Sequence, residues 1–297
     1  MTKCIAFLAC QGTLPGSSRR RSDAYEHDRQ FSAIKDGLAG SEAELTAIDW
    51  RAPIKQFAQF DAALVGTAWD YQDLTEEFLA KLAALENAGI ALHNPSAIVR
   101  WNSDKQYLRE LTQLGARTIP TLWVDRPMRE DIERGFTELK CDKLVVKRQV
   151  GAGAEGQSLL TKGSPALEEW AMDLPAMIQP FLPAITEEGE YSFVFVEGIF
   201  SHALIKRAAS DDYRIQSLYG GREDAIDPAP SDLSDAQRIV DLLPFPVPLY
   251  ARIDMVRGDD GRLLLMEAEM IEPYLYPEQG QEFGKMVASA LLSRLGK

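Results

Sequence analysis

Two strand-like segments near the C-terminal end limit most strongly what this chain can fold into. Residues 249–256 and Leu263–Glu269 are rich in apolar residues. Between them, residues 258–261 contain only Gly and Asp, which tolerate the positive φ angles of tight turns. This part of the chain is therefore predicted to form an antiparallel β-hairpin.

Four charged residues lie at alternating positions of this hairpin. Residues two apart in a strand share a face, so Arg252 and Asp254 point the same way, as do Glu267 and Glu269. If the strands pair in register, three carboxylates and one guanidinium meet. Clustered carboxylates are costly to desolvate unless a positive charge lies among them. A site for Mg²⁺, which takes oxygen ligands and shares them with substrate phosphates, would explain them. The alternative is a solvated sheet face on which Arg252 pairs with one acid.

Composition excludes several classes of protein. The 297 residues suffice for two or three domains, and 45% hydrophobic with 26% charged residues is ordinary for a globular protein. The net charge of −13 argues against nucleic-acid or anionic-membrane partners. No apolar run approaches the ~20 residues that span a bilayer. Three cysteines without metal-type spacing predict reduced thiols and a cytoplasmic protein.

The first 95 residues alternate between strand and helix patterns, which predicts an α/β domain. Strands are predicted at residues 4–10, 45–50 and 62–66, with helices that are N-capped by Asp23 and Thr75.

Two polar groups in this region are candidates for substrate contacts. Trp69 and Asp70 directly follow a predicted strand, where α/β proteins tend to bind ligands, although a turn with packed aromatics fits equally. Arg19, Arg20 and Arg21 form the densest positive cluster, either a solvated loop or a lid that grips an anion.

A glycine-rich loop follows the predicted strand Lys143–Arg148. Residues 151–156 match G-x-G-x-x-G, but a dinucleotide-binding fold needs a helix next, and residues 158–161 favour a short strand. A P-loop is excluded because no Lys follows the last glycine, and the kinase motifs H-R-D and D-F-G are absent. The remaining interpretations are a bare hairpin loop and a flexible flap whose N–H groups cover phosphates, with Lys147 supplying positive charge.

Lys105 is placed unusually in the sequence. A helix is predicted to start at Ser103, and a lysine in the first turn opposes the helix dipole, which indicates another role.

The order of these segments resembles the ATP-grasp ligase superfamily, above all the prokaryotic glutathione synthetase branch and cycloserine-ligase-like proteins. Residues 101–105 with 115–121 resemble the helix of the first ATP lysine and its following strand, and residues 144–156 resemble the second-lysine strand and glycine loop. Residues 178–183 resemble the adenine hinge, and residues 189–192 the region of the ribose-binding acid. Residues 212–214 and 220–222 resemble a segment near the substrate.

The resemblance implies an α/β fold, α+β in the C-terminal half, with the ATP-grasp architecture. It implies a substrate domain at residues 1–97, a central domain at 98–178 and a C-terminal domain at 179–297, with ATP between the last two. The expected function is ATP-dependent amide-bond formation between a small carboxylate and an amine, through an acyl phosphate. The alternatives are a non-catalytic nucleotide-binding module and a nicotinamide-dependent oxidoreductase.

The resemblance also assigns site residues. Arg252 would be catalytic, and Asp254, Glu267 and Glu269 would bind two Mg²⁺ ions. ATP would be held by Lys105, Lys147, Gly153, Gly156, Gln179, Phe181, Leu182, Glu190 and Lys206. Substrate contacts are expected from Trp69, Asp70, Arg214, Gly220 and Gly221.

One position departs from the glutathione synthetase pattern, which has Asn where this chain has Glu269. The additional carboxylate would still hold Mg²⁺ and would also suit Mn²⁺, and the residues do not rank the two ions. Proteins of this type are often dimers or tetramers, so a homo-oligomer is expected.

Overall fold

The computed structural model describes residues 2–151, 156–208 and 221–296. Its strands are β1 (Lys3–Ala9), β2 (Ala43–Asp49), β3 (Ala62–Thr67), β4 (Ala91–His93), β5 (Leu122–Val124), β6 (Lys143–Arg148), β7 (Ser158–Thr161), β8 (Ala176–Pro180), β9 (Glu190–Val196), β10 (Ile199–Arg207), β11 (Arg222–Ile226), β12 (Tyr250–Arg257) and β13 (Leu263–Glu269). Its helices are α1 (Tyr25–Gly37), α2 (Thr75–Asn87), α3 (Ser96–Asn102), α4 (Tyr107–Gln113), α5 (Arg129–Glu138), α6 (Ala184–Glu187), α7 (Pro230–Asp241) and α8 (Phe283–Leu295).

The N-terminal sheet is parallel, with the strand order β2-β1-β3-β4. Its central strand β1 is apolar on both faces because helices cover both sides, as parallel sheets require. On one side α1 and α8 cross so closely that a Cβ on Gly37 would lie 2.2 Å from the backbone oxygen of Gly284. The α/β fold expected for this region is confirmed.

The second sheet has the order β5-β8-β6-β7 and is antiparallel. Its apolar face packs on α5 through a core that includes Ile132, Phe136 and Leu144. The domain boundary predicted at residue 178 falls inside β8, which belongs wholly to this sheet.

The third sheet is also antiparallel, with the order β11-β10-β9-β12-β13. Glu197 (φ 52°) and Gly198 (φ 72°) form the turn between β9 and β10, and two successive positive φ angles suit a tight hairpin. Strand β12 lies between β9 and β13, so both of its edges are paired and its backbone is fixed. The hairpin predicted for the C-terminal end of the chain is confirmed.

The N-terminal sheet is joined to the third sheet by buried polar contacts. The hydroxyl of Tyr250 lies 2.5 Å from the carbonyl oxygen of Val65 and 2.7 Å from that of Ile271. The side chain of Asn94 donates to the carbonyl oxygens of Tyr250 and Met270 and accepts from the backbone N–H of residue 249. These contacts fix the residues that follow β13 against the N-terminal sheet.

Several predicted helix boundaries are wrong. Helix α1 begins at Tyr25 after an N-cap without a side-chain hydrogen bond, because Asp23 pairs with Arg21 instead. Thr75 is the first residue of α2 rather than its cap. The helix predicted from Ser103 is replaced by α3 and α4, and Ser103 is the C-cap of α3.

In the central region, β5 has only three residues, and residues 165–167 form a single 3₁₀ turn. Among the described residues, no helix is long and apolar enough to cross a membrane.

Candidate active site

The β12–β13 hairpin brings four charged side chains to one face of the third sheet. Arg252 pairs with Glu269 across the strands, and Asp254 pairs with Glu267. Directly paired residues point to the same face, so the three carboxylates and the guanidinium lie together. The pairing shifts by one residue immediately after Asp254, which leaves the charged part of the register intact. The shared face predicted from the sequence is confirmed.

Arg252 lies between two of these acids. One of its terminal nitrogens is 2.8 Å from Asp254 and 2.6 Å from Glu269, and the other donates to the carbonyl oxygen of Tyr274. The guanidinium also lies over the ring of Tyr276, 5.6 Å from its centroid. Four groups thus surround a buried arginine whose orientation is fixed.

The pKa values of the two acids move in opposite directions. Burial alone would raise the pKa of Asp254, but Arg252 and Lys206 outweigh it and lower this pKa to about 2. Burial raises the pKa of Glu269 to about 7, and the neighbouring Asp254 and Glu267 add to the effect against the opposing charge of Arg252. The neighbouring positive charges therefore favour the ionised form of Asp254 more than that of Glu269.

Lys206 and Glu190 form a buried ion pair beside Asp254. They are directly opposite across β9 and β10, and their side chains are only 6% and 9% exposed. The ammonium group also lies 3.5 Å from Asp254. Burial would lower the pKa of Lys206, but Asp254 and Glu190 hold it well above its usual range. Lys206 therefore stays charged.

Lys105 connects the glycine loop to the carboxylate face. Its ammonium group donates to the carbonyl oxygen of Gly151 at 2.6 Å and lies 3.5 Å from Glu267. Its backbone N–H donates to the carbonyl oxygen of Gln149. Lys105 lies between α3 and α4 rather than in the first turn of a helix, so the helix-dipole argument from the sequence does not apply, and its contacts are with the glycine loop and Glu267.

The glycine loop joins β6 to β7, two antiparallel strands. A strand after Gly156 removes the oxidoreductase interpretation, because a dinucleotide-binding fold needs a helix there. Gly156 has a φ of 69°, and a Cβ there would lie 2.8 Å from the side chain of Arg148. Gly153 lies outside the described residues.

The remaining ATP candidates lie around the second sheet. Lys147 is half-buried in β6 opposite Met177. The buried amide of Gln179 donates to the Thr121 hydroxyl at 2.9 Å, which links β8 to the segment before β5. The backbone N–H of Phe181 donates to the carbonyl oxygen of residue 143, and the carbonyl oxygen of Leu182 accepts from residue 185.

The N-terminal candidates have local partners. Asp70 accepts a 2.7 Å hydrogen bond from the indole of Trp50, which is fully buried. The indole of Trp69 donates to the carbonyl oxygen of Glu272 at 3.1 Å, and the Arg21 guanidinium lies over the Trp69 ring.

The arginine cluster is held largely by neighbouring acids. Arg20 pairs with Asp28, Arg21 pairs with Asp23, and Arg19 is exposed. Of the other substrate candidates, Gly221 directly precedes β11, whereas Arg214 and Gly220 lie outside the described residues.

The sequence did not identify two residues whose pKa values are affected by the acids of this site. Burial raises the pKa of Glu272 to about 8, and Glu269 is the next cause. Burial and the charges of Glu272, Glu269 and Glu267 also raise the pKa of Tyr71. The available signal was an acidic residue within the otherwise apolar segment after β13.

The residues fit Mg²⁺ by the chemistry of their donor atoms. Carboxylate oxygens are its preferred ligands, and it commonly uses one or two of them together with substrate phosphates. Within residues 2–151, 156–208 and 221–296, no three His, Cys, Asp or Glu side chains are grouped closely enough to hold a metal ion alone. Phosphate oxygens would complete such a site.

The sequence of this chain is similar to one family model and to two known proteins. The family model described as the N-terminal domain of the D-cycloserine synthetase DcsG matches residues 5–94. The cycloserine biosynthesis protein DcsG of Streptomyces lavendulae is 27% identical over 268 residues, which cover 83% of this chain and 87% of that protein. The glutathione synthetase of Prochlorococcus marinus (strain MIT 9313) is 27% identical over 221 residues, which cover 72% of this chain and 67% of the relative.

Solved structures of other proteins have a similar fold. The crystal structure of D-cycloserine synthetase DcsG has a TM-score of 0.82 at 23% identity, and the alignment covers 98% of this chain and 99% of the DcsG chain. The ATP-grasp ligase PsnB, complexed with minimal precursor, Mg and ADP, has a TM-score of 0.65 at 14% identity, and the alignment covers 100% of this chain and 99% of the PsnB chain. These likenesses extend over the whole chain and include all three sheets.

Proposed function

Because this chain belongs to the ATP-grasp ligase superfamily, we propose that it is an ATP-dependent carboxylate–amine ligase for small amino-acid-like substrates. The observation that carries the proposal is the face of the third sheet on which Arg252, Asp254, Glu267 and Glu269 converge. Unused buried charges of this kind would be destabilising, which argues against a nucleotide-binding module that has lost its activity.

ATP would bind between the second and third sheets. Lys105, Lys147 and Lys206 would hold its phosphates, and Glu190 would accept a ribose hydroxyl. The contacts of Lys105 with Gly151 and Glu267 support this arrangement, since they place one cation between the glycine loop and the carboxylates. The adenine would lie against residues 179–182, and Gly153 and Gly156 would let the loop close over the phosphates.

Asp254, Glu267 and Glu269 would hold Mg²⁺. When bound there, Mg²⁺ would neutralise the charge on the transferring γ-phosphoryl group. Two ions, and Mn²⁺ as an alternative to Mg²⁺, form part of this proposal. Lys105 and Lys206 now contact two of these acids at 3.5 Å, so both lysines would exchange a carboxylate partner for phosphate when ATP binds.

The reaction would proceed in two steps. A carboxylate oxygen of the first substrate attacks the γ-phosphorus, ADP leaves, and an acyl phosphate forms. The nitrogen of the amine then attacks the acyl carbon and loses a proton, and inorganic phosphate departs. Arg252 would stabilise the oxyanion of this second step, and a donor aimed at such a charge contributes about 3–4 kcal/mol. The glycine loop would exclude water, because acyl phosphates hydrolyse readily.

The domain organisation belongs to the same proposal. We assign a substrate domain to residues 1–97 and move the second boundary from residue 178 to the end of β8, so that the second sheet stays whole. Trp69, Asp70, Arg214, Gly220 and Gly221 remain the proposed substrate contacts. A cytoplasmic location and the absence of nucleic-acid partners are inferred from the sequence, and a dimeric or tetrameric state is inferred from the family resemblance.

An ADP-release screen tests the proposed function. Amino acids and dipeptides are supplied singly and in pairs with ATP and Mg²⁺, and products are identified by mass spectrometry. We expect ADP release that depends on one acid and one amine, together with the matching amide. ATP binding without any substrate-stimulated ADP release would support the non-catalytic alternative instead.

A further inference from the structure

Gln149 is a buried residue that joins three segments of the chain. It follows β6 directly and is 5% exposed. Its backbone N–H donates to the carbonyl oxygen of Pro175 at 2.9 Å, and its side-chain amide donates to that of Ala176 at 3.3 Å. Its backbone carbonyl oxygen accepts from the backbone N–H of Lys105 at 2.9 Å, and its side-chain oxygen accepts from the amide of Gln106 at 3.3 Å. Gln149 therefore ties the start of β8 to the connection between α3 and α4.

The two side-chain contacts of Gln149 require both a donor and an acceptor. The carbonyl oxygen of Ala176 can only accept, so the NH2 end of the amide faces β8 and its oxygen faces Gln106. An ionised Glu has no donor, and an apolar side chain has neither group. Either replacement would remove the amide donor from the buried Ala176 carbonyl oxygen, which is unfavourable away from water.

Lys105 is held at both its backbone and its side chain by this part of the chain. It lies between α3 and α4, and its backbone N–H is bonded to Gln149 rather than to a helical carbonyl oxygen. Its side chain is 12% exposed, and the ammonium group lies 2.6 Å from the carbonyl oxygen of Gly151 and 3.5 Å from Glu267. Because Gly151 is two residues beyond Gln149, a shift of residues 149–151 would move both anchors of Lys105.

We propose that Gln149 is a positioning residue for the nucleotide, which holds Lys105 where its ammonium group meets the phosphates of ATP. The inference rests on the proposed ligase function and extends it to a residue that would act through Lys105. Glu267 is a proposed Mg²⁺ ligand, so an ammonium group fixed 3.5 Å from it lies beside the phosphates that the ion would share. A flexible lysine that is already ordered loses less entropy when it binds, so a looser Lys105 should weaken nucleotide affinity.

A double-mutant cycle on nucleotide affinity tests this inference. Isothermal titration calorimetry measures AMPPNP binding with Mg²⁺ to the full-length wild type, Gln149→Met, Lys105→Met and the double variant. We expect Lys105→Met to weaken binding at least about tenfold, as for loss of a charge-assisted hydrogen bond, and Gln149→Met to weaken it about threefold or more, as for loss of a neutral one. When Lys105 is already replaced, Gln149→Met should change the affinity by less than about twofold, because no ammonium group remains to be positioned.

Two further variants separate positioning from a general loss of structure. Gln237→Met removes an amide of α7 that also donates to a backbone carbonyl oxygen at 3.3 Å, that of Gly198, and should bind AMPPNP like the wild type. Gln106→Met replaces an exposed residue, so its fold should persist, and it should weaken binding about twofold or more only in protein that retains Lys105. Thermal unfolding of each variant checks that its fold is retained, and Gln106→Met decides the question if Gln149→Met does not fold.

Three results would overturn the inference. They are wild-type affinity in Gln149→Met and Gln106→Met, an equal loss of affinity with and without Lys105, and an equal loss in Gln237→Met. Absence of AMPPNP binding to the wild type would overturn the inference together with the proposed ATP site. Failure of the ligase proposal alone would show differently, as the expected coupling between Gln149 and Lys105 without any substrate-dependent ADP release.

Discussion

Replacing Lys206 with Met should destabilise the protein strongly while removing its activity. Lys206 and Glu190 are 6% and 9% exposed, so solvent screens their ion pair little. Removing one partner of a buried pair typically costs about 3–5 kcal/mol, because the remaining charge is left uncompensated. At about 2 °C per kcal/mol for a chain of this size, Tm should fall by about 6–10 °C.

The double variant separates the cost of the unpaired charge from a general loss of packing. Glu190→Gln combined with Lys206→Met removes both charges, so stability should recover by at least about 2 kcal/mol relative to additivity of the single variants. Recovery should be incomplete because Lys206 also lies 3.5 Å from Asp254. Urea unfolding followed by circular dichroism measures each free energy of unfolding.

ADP release gives the second measurement on the same variants. Both Lys206→Met and the double variant should lose substrate-dependent ADP release, since neither retains the lysine proposed to hold a phosphate. Stability costs that add without coupling would refute the buried ion pair. Wild-type ADP release from the stable double variant would refute the role of Lys206.

Three further predictions concern stability. Burial lowers the pKa of His93 to about 4, whereas its pKa in the unfolded chain is about 6.5, so protonation of His93 between these pH values favours unfolding. The free energy of unfolding of the wild type should therefore exceed that of His93→Gln by less as pH falls from about 6.5 to about 4, and a constant difference would contradict this. Tyr250→Phe should lower the free energy of unfolding by about 1–3 kcal/mol because a buried carbonyl oxygen loses its donor, and an unchanged urea midpoint would count against it. Gly284→Ala should lower Tm by several degrees because its Cβ would lie 2.0 Å from a backbone oxygen of α1, and wild-type Tm would exclude the close helix contact.

The shared face of the hairpin was predictable because a strand has a period of two. Alternation placed Arg252 and Asp254 on one face, and the Gly/Asp turn allowed them to pair with Glu269 and Glu267. The strand after the glycine loop was predictable for a similarly local reason, since Lys162 and Gly163 leave no room for a helix.

Contacts between distant segments were not predictable in the same way. The sequence does not show that Asp70 accepts a hydrogen bond from Trp50, or that Glu190 and Lys206 neutralise each other. Glu272 was missed because its position against Trp69 depends on how two sheets pack, over 203 residues of separation. Helix starts were misplaced where tertiary packing, rather than a side-chain cap, begins the helix.

The central claim is that the acids of β12 and β13 bind the divalent ion that carries ATP. Glu267 gives the cleanest test, because its side chain is 23% exposed and contacts Lys105, whereas Asp254 lies within the buried charge network. The decisive measurement is the affinity for ATP with and without Mg²⁺, expressed as a ratio for each protein. It compares the wild type, Glu267→Gln and the control Glu282→Gln, which removes an exposed acid that pairs with Lys285. We predict that Glu267→Gln reduces this ratio by about tenfold or more while the control retains it. An unchanged ratio in Glu267→Gln, with the fold intact, would contradict the claim.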